Sequence, residues 1–209
     1  TDQGIQIIAS SETFTNLRIL NLYRNQITDV GAEIIAESDV LSNLNEVNLN
    51  YNEVGDRGAL KLARSAKLKN LKKIRLAYNR LGRRGHEALQ RFQILHKIEE
   101  LHGVGRLSEV SKIVRGDFGV MVLLESAHVS QIDVLDLRES DLTDRAAIAI
   151  ARSGQLNGLT TLNLSGNSVT DLGAGALAGS KTLSQLRKLD LNYNSIGDEG
   201  ARAIAESPY

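Results

Sequence analysis

No cysteine occurs in the 209 residues, which excludes disulfide staples, thiolate metal ligands and thiol nucleophiles together. Tryptophan is also absent and aromatic residues make up only 4%, so any core must be aliphatic. No apolar run approaches the roughly 18 residues a membrane-spanning helix needs. The opening TDQGIQIIAS has no basic region leading into a long apolar stretch, so no signal peptide is visible. It also lacks an initiator Met and starts in mid-repeat, which predicts a fragment of a longer chain. What remains is a composition of 42% apolar and 24% charged residues, that of a globular domain.

The order within that composition is a repeat. LRILNLYRNQITDVGAEIIAES from Leu17, LNEVNLNYNEVGDRGALKLARS from Leu44 and LRKLDLNYNSIGDEGARAIAES from Leu186 share one form, L-x-x-L-x-L-x-x-N-x-I-x-D-x-G-A-x-x-L-A-x-S. Asn25, Asn52 and Asn79 lie 27 apart, and Asn167 and Asn194 repeat the interval. Copies start at Leu17, Leu44, Leu71, Ile132, Leu159 and Leu186. A seventh is expected from Ile98, where Ile98 and Leu101 restart the pattern. There the distance from repeat start to Asp is 19 residues instead of 12, so a seven-residue insertion is placed within about 104–116. Residues 1–16 supply a preceding half repeat.

The last two leucines of L-x-x-L-x-L are two apart and face one side of a strand. The D-x-G-A-x-x-L-A stretch has a period near 3.6, with small residues where helix and sheet touch. One such unit cannot bury its apolar side alone, so units stack. The repeated Asn is expected to satisfy backbone groups in the turn after each strand. The Asp after Thr28 or Gly197 is expected to cap the helix it begins.

These residues resemble the ribonuclease-inhibitor-like class of leucine-rich repeats over essentially the whole chain. The period of 27 and the uniform D-x-G-A tail are closer to bacterial members. Gly173-Ala174-Gly175-Ala176-Leu177-Ala178 resembles the GAxALA signature of secreted bacterial effectors. The resemblance implies an α/β leucine-rich-repeat solenoid, a right-handed horseshoe over 1–209 with a parallel sheet on the concave face and helices on the convex face. It further implies a scaffold that binds another protein through the concave face and its rim. Extracellular members usually carry disulfide-bonded caps, so the lack of cysteine favours the cytoplasm, or a host cytosol for an effector.

Residues that depart from the repeat are the functional candidates. From Arg57 to Lys97 there are 13 basic residues against Glu87 alone, a net of +12, while Ile98 to Asp144 is −6. The template puts Lys73 and Arg75 on the concave side and Arg57, Lys61 and Arg64 on the helices. The competing reading is electrostatic binding of nucleic acid or anionic membrane through 57–97. Tyr78 and Phe92 are the only stacking aromatics there, which weighs against nucleic acid. Arg83 occupies the helix-start Asp position. Arg106 takes the place of the repeated Asn in the inserted copy. An exposed column is predicted through Asn21, Asn48, Arg75, His102, Asp136, Asn163 and Asp190, with Arg138 nearby. Arg24, Tyr51, Tyr78, Glu139 and Tyr193 stand beside the repeated Asn. Tyr and Arg are favoured interface anchors.

Other short matches follow from the repeat itself. Asp117-Phe118-Gly119 and Arg115-Gly116-Asp117 are one instance of D-x-G. Gly103-Val104-Gly105 lacks the third glycine of a dinucleotide fingerprint, and His86-Glu87-Ala88-Leu89-Gln90 lacks the second zincin histidine. Asn163-Leu164-Ser165 is a formal glycosylation site placed within a strand. His86, His96, His102 and His128 show no catalytic spacing, so no enzyme, metal or cofactor is predicted. The last strand, Leu186–Leu191, is expected at an open edge. That predicts further chain or end-to-end self-association, or a targeting module of a larger protein.

Overall fold

The structure is a computed structural model that describes residues 1–103 and 107–209. Where the sequence predicts one repeat domain, the residues pack as two compact units, Thr1–Gln93 and Ile94–Tyr209, each with an aliphatic core.

The first unit runs α1 (Asp2–Ser10), β1 (Ile19–Asn21), α2 (Asp29–Glu37), β2 (Glu46–Asn48), α3 (Asp56–Ala63), β3 (Lys73–Arg75) and the first part of α4 (Arg83–Gly103). Its three short strands are parallel in the order β1-β2-β3. The 27-residue period sets the register directly, pairing Leu20 with Val47 and Val47 with Ile74. Those three side chains point inward and are buried, as are Leu49 and Leu76. Across from them α2 presents Ala32, Ile35 and Ala36, all buried, and the alanines let helix and strand approach. Truncating a core leucine such as Leu49 to alanine is expected to cost about 2–5 kcal/mol.

The second unit continues with α5 (Gly116–Leu124), β4 (Val134–Asp136), α6 (Asp144–Arg152), β5 (Thr161–Asn163), α7 (Asp171–Ala178), β6 (Lys188–Asp190) and α8 (Asp198–Ala205). Its strands repeat the arrangement: β4-β5-β6, parallel, with Leu135, Leu162 and Leu189 in register.

Repeated polar residues join neighbouring copies. Asn52 accepts from Ile27 N–H at 2.9 Å and donates to the Leu22 and Leu49 carbonyls at 2.9 and 3.0 Å. Asn194 does the same in the second unit, for Val169, Leu164 and Leu191. These bonds satisfy buried and half-buried backbone groups of the turns, as the sequence predicts. Serines at the helix ends form a second ladder: Ser38 donates to Ala9 O and Ser180 to Ala151 O.

The aspartate acts differently from expectation. It caps the helix of the following copy rather than the helix it begins. Asp29 Oδ1 accepts from Gly55 and Gly58 N–H at 2.7 and 2.8 Å, and Asp171 Oδ1 from Gly197 and Gly200 at 2.6 and 3.0 Å. A helix's own cap is the preceding threonine where there is one: Thr28, Thr143 and Thr170 accept from the N–H two residues on. The same geometry explains D-x-G. A Cβ on Gly31, Gly58, Gly173 or Gly200 would stand within 2.8 Å of the carboxylate of the copy before. Gly119 meets no carboxylate, and the Asp position of the copy before holds Arg83. Asp117 itself accepts from Thr143 N–H and its hydroxyl, so the Asp shared by Asp117-Phe118-Gly119 and Arg115-Gly116-Asp117 serves as a helix cap.

One predicted strand is a helix. The expected repeat start at Ile98 lies inside α4, with Ile94, Ile98 and Leu101 buried at a spacing of four and three. From His86 to His102 there is no Gly, Pro, Asn, Asp or Ser to stop a helix, and Leu, Gln, Glu, Lys and Arg favour its propagation. Lys97 and Glu100 add an ion pair at 2.8 Å along its surface. The inserted stretch therefore follows a helix, not a strand. Its described part contains a 3₁₀ segment over Leu107–Lys112 and ends at the start of α5.

Candidate functional site

In the first unit, alternation along the strands sends Ile19, Asn21, Glu46, Asn48, Lys73 and Arg75 to the face opposite the core. Ile19 is 60% exposed, an uncovered aliphatic side chain at the start of β1. Glu46 lies between two cations, 2.6 Å from Arg75 Nε and 3.7 Å from Lys73 Nζ. The Arg75 hydrogen bond holds the Glu46 carboxyl below the usual carboxylate range.

After each strand the chain turns through a left-handed residue, with φ of 54° at Arg24, 58° at Tyr51 and 56° at Tyr78. This conformation is uncommon for residues other than glycine. Here the following Asn fixes it by binding the turn carbonyls. Three large side chains are thereby set in line along one rim. Tyr51 and Tyr78 stack with ring centroids 4.2 Å apart and planes 17° from parallel. Tyr23 meets Tyr51 edge-on at 5.2 Å. A side-chain hydrogen bond with Tyr78, and then burial, raise the Tyr51 phenol pKa. All three rings remain substantially exposed, Tyr78 at 71%.

Tyr23 is absent from the sequence prediction. It sits one position before Arg24, so comparing equivalent positions of successive repeats cannot align it with Tyr51. The contact is diagonal, across one copy and one residue. A two-residue step from Asn21 is the signal that could have placed it on the exposed side.

In the second unit the matching turn positions are Glu139, Gly166 and Tyr193, again all left-handed. Tyr193 is 91% exposed, with no ring contact among the described residues. Asp136 and Arg138 form a forked ion pair, which lowers the Asp136 pKa through the Arg138 hydrogen bond. Asp136, Asn163 and Asp190 are in register on β4, β5 and β6. Of the remaining predicted residues, His102 lies near the end of α4 and not on a strand, because the helix runs through its expected position. Arg106 lies outside the described residues.

The basic zone 57–97 is not an open cationic field. Residues 29–56 hold seven acids and no Lys or Arg, and they are its counter-charge. Arg57 pairs with Glu33 at 2.7 Å, Lys61 with Glu37 at 2.8 Å, Lys67 with Asp39 at 2.5 Å and Arg80 with Glu53 at 2.8 Å. Each partner lies 24–28 residues earlier, on the preceding copy. Arg83 pairs with Glu87 one turn along α4. As the aspartate position serves the next copy's helix, a cation at the start of α4 leaves that helix's own N-terminus unaffected in hydrogen bonding, and Asp56 caps it instead. Among the described residues no group of three metal-ligating side chains occurs, and no helix is long and apolar enough to cross a membrane.

The leucine-rich-repeat family model matches residues 15–36, 40–63, 157–178 and 183–205. Together with the parallel strands, alternating helices and asparagine ladder, this defines an α/β leucine-rich-repeat solenoid fold, a class whose members generally act as protein-binding scaffolds. No curated protein sequence matches the chain significantly. Among solved structures the chain is similar to an internalin from Listeria monocytogenes str. 4b F2365, at 12% identity and a TM-score of 0.33, over 98% of this chain and 92% of that one.

Proposed function

We propose that the chain recognises another protein through the strand face and aromatic rim of its first unit. The observation that carries this reading is the exposed row Tyr23–Tyr51–Tyr78. Packed rings hold one another's rotamers, so a partner binding them loses little side-chain freedom, and tyrosine gives both apolar area and a polar tip. Ile19, Lys73 and Arg75 extend the surface from the rim across the sheet.

The arrangement favours a protein over nucleic acid. Base stacking needs an open ring face. One face of Tyr51 is covered by Tyr78, and Tyr23 packs against the same ring. Arg57, Lys61, Lys67 and Arg80 also have carboxylate partners, which lowers the field a polyanion would meet. In the second unit Asp136, Arg138, Glu139, Asp190 and Tyr193 are assigned a peripheral contribution, because Arg138 is held by Asp136 and Tyr193 stands alone. The GAxALA match at Gly173–Ala178 supports a further reading as the targeting part of a larger bacterial effector.

The test is affinity capture from nuclease-treated lysate with the parent chain, Tyr51→Ala/Tyr78→Ala and Lys73→Glu/Arg75→Glu. A discrete protein held by the parent and lost by both variants, with their circular dichroism unchanged, is the expected result. Capture that survives both variants removes the assignment.

A further inference from the structure

If the strand face and aromatic rim of the first unit form the binding surface, the chemistry of that face also narrows the partner. We propose that the first unit's strand face takes an acidic peptide segment of its partner, with carboxylates on the row Asn21–Asn48–Arg75 and apolar side chains on the tyrosine rim. This rests on the protein-recognition reading and adds the class of ligand.

The orientation of the two amides is dictated by the backbone. Asn21 Oδ1 accepts from Tyr23 N–H at 3.2 Å, and Asn48 Oδ1 accepts from Asn50 N–H at 3.1 Å. Only oxygen can accept, so each NH₂ is left with no partner among the described residues. Register sets Asn21, Asn48 and Arg75 side by side on adjacent strands. The row therefore turns mainly donors outward, two amide NH₂ groups and a guanidinium, against one remaining lone pair on each Oδ1. Carboxylates and carbonyls therefore find more partners on the row than a segment rich in Lys or Arg does.

Charge selects between those two. Arg24, Lys73 and Arg75 stand on this face and rim against the single carboxylate of Glu46. Glu46 serves both Lys73 and Arg75, so one positive charge of that cluster is uncompensated, and Arg24 makes no ion pair among the described residues. The second unit shows the opposite choice on the same frame. Its row is Asp136–Asn163–Asp190, in which Asp190 Oδ1 accepts from Asn192 N–H at 3.1 Å. An aspartate thus performs the turn-binding task of Asn21 and Asn48 equally well. The turn does not require asparagine there, and the asparagines in the first unit leave donors exposed where aspartates would repel an acidic ligand.

Asp190 also supplies the diagnostic substitution. Asn48→Asp keeps the turn hydrogen bond and reverses the row's chemistry, so folding is expected to be unchanged. The parent chain is used to select from a displayed library of random peptides, and the charge of the enriched sequences is read. Selected peptides are then measured against Asn48→Asp, Tyr51→Ala/Tyr78→Ala and Asn163→Asp. Acidic sequences that lose about tenfold or more in affinity to Asn48→Asp, and little to Asn163→Asp, are expected from placing like charges together. Neutral or basic sequences that still need Tyr51 and Tyr78 would overturn the acidic assignment and leave the binding face standing. Peptides indifferent to all three variants would overturn both. A single-stranded oligonucleotide bound with the same dependence on Asn48 would replace the peptide with a phosphate ligand.

Discussion

At the three turn positions that follow the strands, the first unit carries Arg24, Tyr51 and Tyr78, and the second carries Glu139, Gly166 and Tyr193. All six residues have the same left-handed backbone. On the neighbouring strands one unit shows Asn21, Asn48 and Arg75, the other Asp136, Asn163 and Asp190. The asparagine, serine and aspartate ladders beneath are equivalent in both. One frame thus supports two surfaces of different chemistry. Residues that bond from copy to copy are restricted to one or two types, while those facing outward on the same strands are not. The difference between the units therefore lies in the outward residues.

The largest effect expected from testing that contrast is on the shared frame. Asn52 is buried, and its truncation to alanine leaves the Ile27 N–H without its acceptor, while the Leu22 and Leu49 carbonyls keep Asn25 and Asn79 as donors. Thermal or urea unfolding should show a loss of about 1–3 kcal/mol, the cost of one unsatisfied buried group. Asn25→Ala should lose under about 1 kcal/mol, because its amide bonds only exposed turn carbonyls. Equal losses at both sites would show that the ladder does not stabilise by burial.

Glycine offers the next contrast. Gly58→Ala brings a Cβ within 2.8 Å of Asp29 Oδ1, Ala32 Cβ and Val54 Cγ1, and overpacking of that kind costs about 1–3 kcal/mol. Gly119→Ala, at the equivalent position of α5, meets nothing nearer than 3.4 Å. Helix propensity should then make it neutral or stabilising by up to about 1 kcal/mol. If both substitutions lower the melting temperature alike, the carboxylate is not what excludes a side chain at Gly58.

For binding, Tyr51→Ala/Tyr78→Ala should weaken the partner about tenfold or more, equivalent to about 1.4 kcal/mol. Tyr193→Ala in the second unit should change it little. A reversed order would move the site to the second unit.

The smallest expected effect concerns acid. Asp144 is partly desolvated, which raises its pKa, but donors from Thr170 and Gly173 outweigh burial and hold it below the ordinary 3.8. A depressed folded-state pKa contributes stability that is present above 3.8 and lost as pH falls through the folded value. Asp144→Asn should reduce the dependence of melting temperature on pH below about 4, as carboxylates titrate there. It should leave the dependence above about pH 6 unchanged. An unaltered acid limb would mean that this cap does not titrate with folding.

Period and residue type in the sequence were sufficient for the repeat, the parallel strands, the inward leucines and the asparagine ladder. A 27-residue interval can be satisfied by one register only, and apolar residues two apart admit one inward face. The positions of Tyr51, Tyr78, Lys73 and Arg75 on an exposed surface follow from that template. Tertiary structure decided what the template does not encode. Asp29 reaches across to Gly55 and Gly58 because the N-terminus of the following helix lies beside it. Tyr23 joins Tyr51 diagonally, and Arg57, Lys61 and Lys67 find carboxylates 24–28 residues earlier. The helix through Ile98 also outlasted a strand-like leucine spacing, since uninterrupted helix formers and the buried series Ile94, Ile98, Leu101 outweighed two matching positions. Periodicity identifies equivalent positions in successive copies, but contacts between unlike positions depend on the offset between copies, which exists only once the chain has stacked.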